Sequence, residues 1–237
     1  MITGKPGLRS GSGRLAAAFF EMAGMRYRVK ICGITTVEQA LAAARAGADA
    51  IGLVFHAPSR RAVEPAQAAA IAAALPPFVT TVGLFVDPEP ARVEQVLRMA
   101  GLDCLQFHGH ESATACARFG RPYLKAIAMG DGDDPRSAMD AHPDAQGFLL
   151  DSHGGGRSGG SGHRFDWQRV PDALERPWLL AGGLDADSVR EALEHLRPYG
   201  VDVSSGVESA PGVKDARRMR AFVRAVRQCE VETDEQD

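Results

Sequence analysis

The feature that most constrains this chain is a rhythm repeated eight times from Tyr27 onward: a short aliphatic or β-branched run, then an Ala- and Leu-rich stretch. The strand candidates are 28–31, 50–55, 79–86, 104–107, 123–128, 147–150, 178–181 and 201–203. The matching helix candidates are 37–46, 65–74, 90–100, 112–119, 135–141, 167–174, 186–195 and 213–227. Strands that alternate with helices pair in parallel, and eight such units close on themselves. The predicted fold is therefore α/β, a single (β/α)8 or TIM barrel with a parallel eight-stranded core. A doubly wound open sheet would carry a glycine fingerprint after its first strand, and Cys32-Gly33-Ile34-Thr35 is not one.

Composition agrees with one soluble globular domain. Of 237 residues, 45% are hydrophobic and 24% charged, which excludes a disordered chain. Aromatics are only 6%, so the core is expected to consist of small aliphatic side chains rather than aromatic clusters. The net charge of −3 is concentrated at the end, where residues 230–237 hold five acids and no base. The near-neutral body lacks the basic face that nucleic-acid binding needs. Cys32, Cys104, Cys116 and Cys229 form no CxxC pair and read as free thiols in a reducing compartment, so a cytoplasmic protein is expected.

The ends read differently from the body. Residues 1–14 are rich in Gly, Ser and bases, and the apolar run 15–20 is broken by Glu21. That run is too short to span a bilayer and short even for a secretion signal, so no membrane association is expected. The expected organisation is a flexible N-terminal extension over 1–26, a catalytic barrel over 27–228 and a disordered acidic tail over 229–237. Monomer and homodimer are equally compatible with the sequence.

In such barrels the reacting groups sit at the C-terminal ends of the strands and in the loops beyond them. Two groups stand out there. Gly182-Gly183 follows the seventh strand and Ser204-Ser205-Gly206 follows the eighth, the usual phosphate position of this architecture. The alternative is that these glycines merely turn the chain. The glycine-rich stretch 154–162 lacks a P-loop ending and reads as a linker or as a lid over the catalytic end. Cys32 and Asp151, at the ends of strands one and six, would face each other across the barrel mouth, an arrangement suited to general base and general acid work. Taken singly, Cys32 also fits a small buried hydrophobe and Asp151 a loop hydrogen bond. His108-x-His110 with Glu111 resembles a metal pair only superficially, and no zinc-type spacing accompanies it. Neither a metal nor an organic cofactor is expected.

Taken together the motifs resemble one family. Lys30-Ile31-Cys32-Gly33-Ile34-Thr35 is similar to the opening signature of the phosphoribosylanthranilate isomerases. Further segments follow in that family's order: Gly47-Ala48-Asp49-Ala50-Ile51-Gly52, Ser59-Arg60-Arg61, Gln106-Phe107-His108-Gly109, Leu150-Asp151 leading to Gly159-Gly160-Ser161-Gly162 and Phe165-Asp166-Trp167, and Val201-Asp202-Val203-Ser204-Ser205-Gly206-Val207-Glu208. The resemblance implies an Amadori rearrangement of a phosphoribosyl-anthranilate in tryptophan biosynthesis, on a small phosphosugar substrate. By position, Asp151 resembles the general acid and Cys32 the general base. That role needs Cys32 as thiolate, which a nearby cation would favour. Arg61 matches the arginine that holds the anthranilate carboxylate, with Arg60 its neighbour and competitor, and His108 falls among the substrate-binding positions. Gly160 and Gly162 would close over the phosphate with Gly182, Gly183, Ser205 and Gly206. Phe107 stands where the family more often has Leu, and Ala62 where an aromatic often follows the arginine. The rival readings are another phosphosugar isomerase or epimerase on the same barrel, and a barrel that binds phosphate ligands without turnover.

Overall fold

In a computed structural model, residues 26–129, 134–152, 167–171 and 174–234 are described. Eight parallel strands close into a barrel: β1 (Arg28–Cys32), β2 (Ala50–Val54), β3 (Thr80–Phe85), β4 (Cys104–Phe107), β5 (Tyr123–Ala128), β6 (Gly147–Asp151), β7 (Trp178–Leu180) and β8 (Gly200–Val203). Closure is made by β1 against β8, with Val29 opposite Val201 and Lys30 opposite Asp202. The helices are α1 (Val37–Ala46), α2 (Pro65–Ala74), α3 (Pro90–Met99), α4 (Ala113–Ala117), α5 (Pro135–Asp140), α6 (Val189–Leu196) and α7 (Ala216–Asp234).

The local chemistry of the helix ends explains most boundaries. Thr36 caps α1 through the Gln39 N–H, and Gly47 closes it in the left-handed region at φ 96°. Pro65 and Pro90 open α2 and α3, where a missing N–H costs nothing. Ser112 caps α4 through the Ala115 N–H, but the helix stops at Ala117, short of the expected Phe119. The helix expected from 186 starts at Val189 instead. Asp185 Oδ1 accepts from the Asp187 and Ser188 N–H groups and from Ser188 Oγ, and this turn occupies the first residues.

Two expected helices differ more. After β6 the described residues form a 3-10 turn over Trp167–Arg169 rather than a helix over 167–174. It is followed by Pro171, which has no N–H to continue it. The helix expected from 213 begins only at Ala216, because Glu208–Ala210 and Val213–Lys214 pair as a small antiparallel ribbon, β9 and β10. Asp215 then starts α7, its Oδ1 accepting from the Arg217 and Arg218 N–H groups. At its other end α7 runs to Asp234, past the expected boundary at 228. Cys229 is buried, and Arg227 donates to the Tyr27 carbonyl and pairs with Asp49 and Glu230, so residues 227–230 are part of the packed body. Residues 1–25 and 235–237 lie outside the described residues.

Strand alternation sends one set of side chains outward to the helices and the other inward. The outward set (Val29, Ile31, Ile51, Leu53, Phe148, Leu150, Leu180, Val201, Val203) merges with the helix faces into the main core. The inward set includes Ala126, Leu149, Leu179 and Ala181, with Cys32, Val54 and Leu84 nearer the rim. The expectation of a core without aromatic clusters is corrected by a run of rings outside β2 to β5. Phe55 stacks on Phe85 at 5.1 Å, and Phe107 sits 6.2, 6.0 and 5.9 Å from Phe85, Phe119 and Tyr123. Few aromatics suffice because strand neighbours collect them on one wall.

Candidate active site

Cys32 and Asp151 end β1 and β6, and both are buried at the same rim. They are separated around the barrel by β8 and β7, the strands that lead to the glycine turns. Cys32 finds room because β2 presents Gly52 opposite it: a Cβ there would lie 2.7 Å from Cys32 Sγ. Two residues below, Lys30 shares the inward face and is 2% exposed. Its Nζ donates to Asp202 Oδ1 at 2.8 Å, a buried ion pair across the β1–β8 seam. Burial works against the Lys30 charge, but the Asp202 carboxylate and the neighbouring Cys32 outweigh it and raise the ammonium pKa.

The base role needs Cys32 as thiolate, and the surroundings of the sulfur pull its pKa in both directions. Burial raises the thiol, Lys30 and Lys214 pull it back, Asp202 adds to the rise, and the balance lies above the usual thiol value. In this state Cys32 is a thiol in the company of two buried ammonium groups, not a standing thiolate.

Asp151 is met by His108, whose Nε2 lies 3.2 Å from Asp151 Oδ2, and Ser152 Oγ approaches Oδ1 at 3.5 Å. Behind the ring, Gln106 Nε2 lies 3.1 Å from His108 Nδ1. His108 was expected among substrate contacts; its partly exposed ring is on the rim and engaged with Asp151. His110 points away, fully exposed and 3.5 Å from Asp87, so the two histidines share no ligand position. Among the described residues no cluster of three His, Cys, Asp or Glu is arranged to hold a metal ion.

Arg61 follows β2, as the sequence order requires, and Arg60 beside it is exposed. Arg61 Nε and Nη2 donate to the two oxygens of Glu208 at 2.7 and 2.8 Å, a bidentate fork. Glu208 also accepts from Lys214 Nζ at 2.7 Å, and Lys214 donates to the carbonyl and hydroxyl of Ser204. Burial opposes the Glu208 charge, yet Arg61 and Lys214 outweigh it and hold the carboxyl below its ordinary range. Burial pulls Lys214 down, only partly offset by Glu208.

The turn after β7 places Gly182 and Gly183 at φ 89° and 66°. At Gly182 any side chain would also run into Ser152 Oγ, so the turn fits only glycine. Ser205 and Gly206 lie in the short 3-10 turn Ser205–Val207 that follows β8, packed against the Leu184 carbonyl. Gly160 and Gly162 lie outside the described residues.

Residues 29–225 match the family model described as N-(5'phosphoribosyl)anthranilate (PRA) isomerase. The chain belongs to the phosphoribosylanthranilate isomerase family. An isomerase of that name from Acidithiobacillus ferrooxidans is 56% identical over 200 residues, covering 84% of this chain and 97% of the relative. Among solved structures, the phosphoribosyl anthranilate isomerase of Thermus thermophilus aligns with a TM-score of 0.75 at 41% identity, over 85% of this chain and 98% of that one. A second phosphoribosyl anthranilate isomerase structure, solved with reduced 1-(o-carboxyphenylamino)-1-deoxyribulose 5-phosphate, aligns with a TM-score of 0.72 at 36% identity, over 85% and 99% of the two chains.

In this phosphoribosylanthranilate isomerase family member the rim thiol, carboxylate, arginine and glycine turns are legible in the sequence, whereas Lys30, Asp202, Gln106, Glu208 and Lys214 gain a role only in the fold. All five are buried polar residues. A signal did exist for two of them. Lys30 stands two before Cys32, hence on the same strand face, and Asp202 is a lone acid inside a β-branched run.

Proposed function

We propose that this chain converts N-(5-phosphoribosyl)anthranilate to 1-(2-carboxyphenylamino)-1-deoxyribulose 5-phosphate, a step of tryptophan biosynthesis, with Asp151 as general acid and Cys32 as general base. The observation that carries the reading is the placement of one thiol and one carboxylate on the same rim, on either side of the two strands that lead to the glycine turns.

The chemistry follows from the groups. Asp151 donates a proton to the ribose ring oxygen as the C1–O bond breaks, and the anilino nitrogen supplies the electron pair that forms a cationic Schiff base. That cation acidifies the C2 proton, which Cys32 removes to give an enolamine. Tautomerisation of the enolamine gives the ketone, so the sequence of steps draws on no metal or organic cofactor. The positive charge that forms at C1 stands near a buried sulfur already flanked by Lys30 and Lys214. A third cation is what turns a raised thiol into a thiolate when it is needed. The β7 and β8 turns, with Gly182, Gly183, Ser205 and Gly206, take the phosphate, joined by Gly160 and Gly162. Arg61, anchored by Glu208, takes the anthranilate carboxylate.

Cys32→Ser and Asp151→Asn should each lower kcat by about 10²-fold or more, the usual contribution of a placed acid or base, while a reduced product analogue still binds. The check is steady-state kinetics beside calorimetric titration of the analogue. A wild-type rate in either variant would remove that residue from the mechanism.

A further inference from the structure

Gln106 sits on the inward face of β4, wholly buried at 0% exposure. Its Oε1 is the one buried side-chain nitrogen or oxygen among the described residues without a hydrogen-bond partner. Its Nε2, by contrast, is 3.1 Å from His108 Nδ1, and His108 Nε2 is 3.2 Å from Asp151 Oδ2. The three residues form a line from the barrel interior to the proposed acid, and the amide at its base is held on one side only.

The proton arithmetic along this line has two solutions. With the amide NH2 donating to Nδ1, the ring proton is on Nε2 and is donated to the Asp151 carboxylate, which keeps the carboxylate ionised. That is the unloaded form of the acid. When the pair holds one more proton, Nδ1 carries hydrogen and needs an acceptor. A half-turn of the Gln106 amide supplies Oε1. The extra proton then lies between Nε2 and Oδ2, where the acid can use it. Nothing bonded to Oε1 opposes that turn.

We propose that Gln106 is a positioning residue whose amide turns with the proton on His108, so that His108 and Asp151 load and release one proton as a unit. The inference rests on Asp151 being the general acid. The charged groups nearest in the barrel are the Lys30–Asp202 pair on the inward face and Arg169 on the rim, bonded to the Met129 carbonyl. On the next strand Lys125 pairs with Glu111 and donates to the carbonyls of Phe107 and Gly109 on either side of His108. Each of these cations already has its own acceptor, so the amide is the neutral element that can follow the proton.

The test is the pH dependence of kcat/KM in Gln106→Met and Gln106→Glu. The limb to follow is the one that reports the proton shared by His108 and Asp151. Methionine offers Nδ1–H no acceptor and penalises the loaded form, so the limb moves down by about one unit. Glutamate offers only an acceptor and favours the loaded form, so the limb moves up by about one unit. KM stays within about threefold in both, since the substitutions leave Arg61 and the glycine turns after β7 and β8 untouched. Limbs that stay at the wild-type pH, or that both move the same way, overturn the proposal and leave Gln106 as packing. Ring 15N shifts of His108 in the wild-type protein, assigned by loss in His108→Asn, test the same point without touching Gln106. The tautomer should change from Nε2–H to Nδ1-protonated at the pH of the limb, and a tautomer fixed through that pH contradicts the proposal. Asp151→Asn separates the two readings: full activity there removes the acid itself, whereas lost activity with unmoved Gln106 limbs removes only the relay.

Discussion

At the scale of single residues the site is a set of buried charges that hold one another in place. Arg61 is the clearest case. Its Nε and Nη2 are taken by Glu208, which is steadied in turn by Lys214, so the guanidinium reaches the rim with its orientation fixed. Arg60 is exposed and has no such anchor among its hydrogen bonds with described residues. Arg61→Ala should therefore raise KM by about 10²-fold, the worth of one charge-assisted bidentate contact, with kcat changed only a few-fold. Arg60→Ala should leave both within about twofold. Initial-rate kinetics on the two variants decide it, and an unchanged KM for Arg61→Ala beside a raised KM for Arg60→Ala would transfer the role. The arginine was legible in the sequence because it follows a strand in a fixed motif. Its partner was not: Glu208 is 147 residues further along and becomes a neighbour only when the barrel closes. The Cys32 pKa was illegible for a similar reason. Only the folded interior shows which cations reach the sulfur and that burial outweighs them.

At the scale of elements, the strands and the capped helices were read nearly to the residue, because period, Pro at the helix start and Gly at its end are local signals. The turns were not, because Asx turns, 3-10 turns and the β9–β10 ribbon depend on side chains reaching backbone groups a few residues away. Ser205–Val207 and the β9–β10 ribbon between them bring Glu208 and Lys214 under the rim. The β7 turn makes a sharp prediction. Gly182→Ala forces a side chain onto a backbone at φ 89° and against Ser152, at a cost of about 1–3 kcal/mol. Gly101→Ala meets no atom within 4 Å and should change stability by less than about 0.5 kcal/mol. Urea unfolding midpoints of the two variants, compared with the parent, measure this. Equal midpoints for the parent and Gly182→Ala would show that the turn tolerates a side chain.

At the scale of the whole molecule, the barrel divides its labour by face. The outward sides of the strands and the helices supply an apolar shell, while the inward side carries Lys30, Asp202 and Gln106 beneath a rim of thiol, imidazole and carboxylate. The eight-fold count and its closure were legible because each unit announces itself locally, whereas the polar interior emerges only when strands far apart in the sequence, such as β1 and β8, pair. Closure is reinforced from outside by α7, whose Arg227 binds the Tyr27 carbonyl at the entrance to β1 and pairs with Asp49 just before β2. Among the described residues no helix is long and apolar enough to cross a membrane. The most direct test of the central claim is an assay of the rearrangement itself. N-(5-phosphoribosyl)anthranilate is generated in place from anthranilate and phosphoribosyl pyrophosphate by a transferase, the protein is added in the presence of a chelator, and the substrate's fluorescence is followed. Rapid loss of fluorescence that depends on both Cys32 and Asp151 is the expected result. A folded protein that binds the product analogue yet leaves the fluorescence unchanged would contradict the assignment.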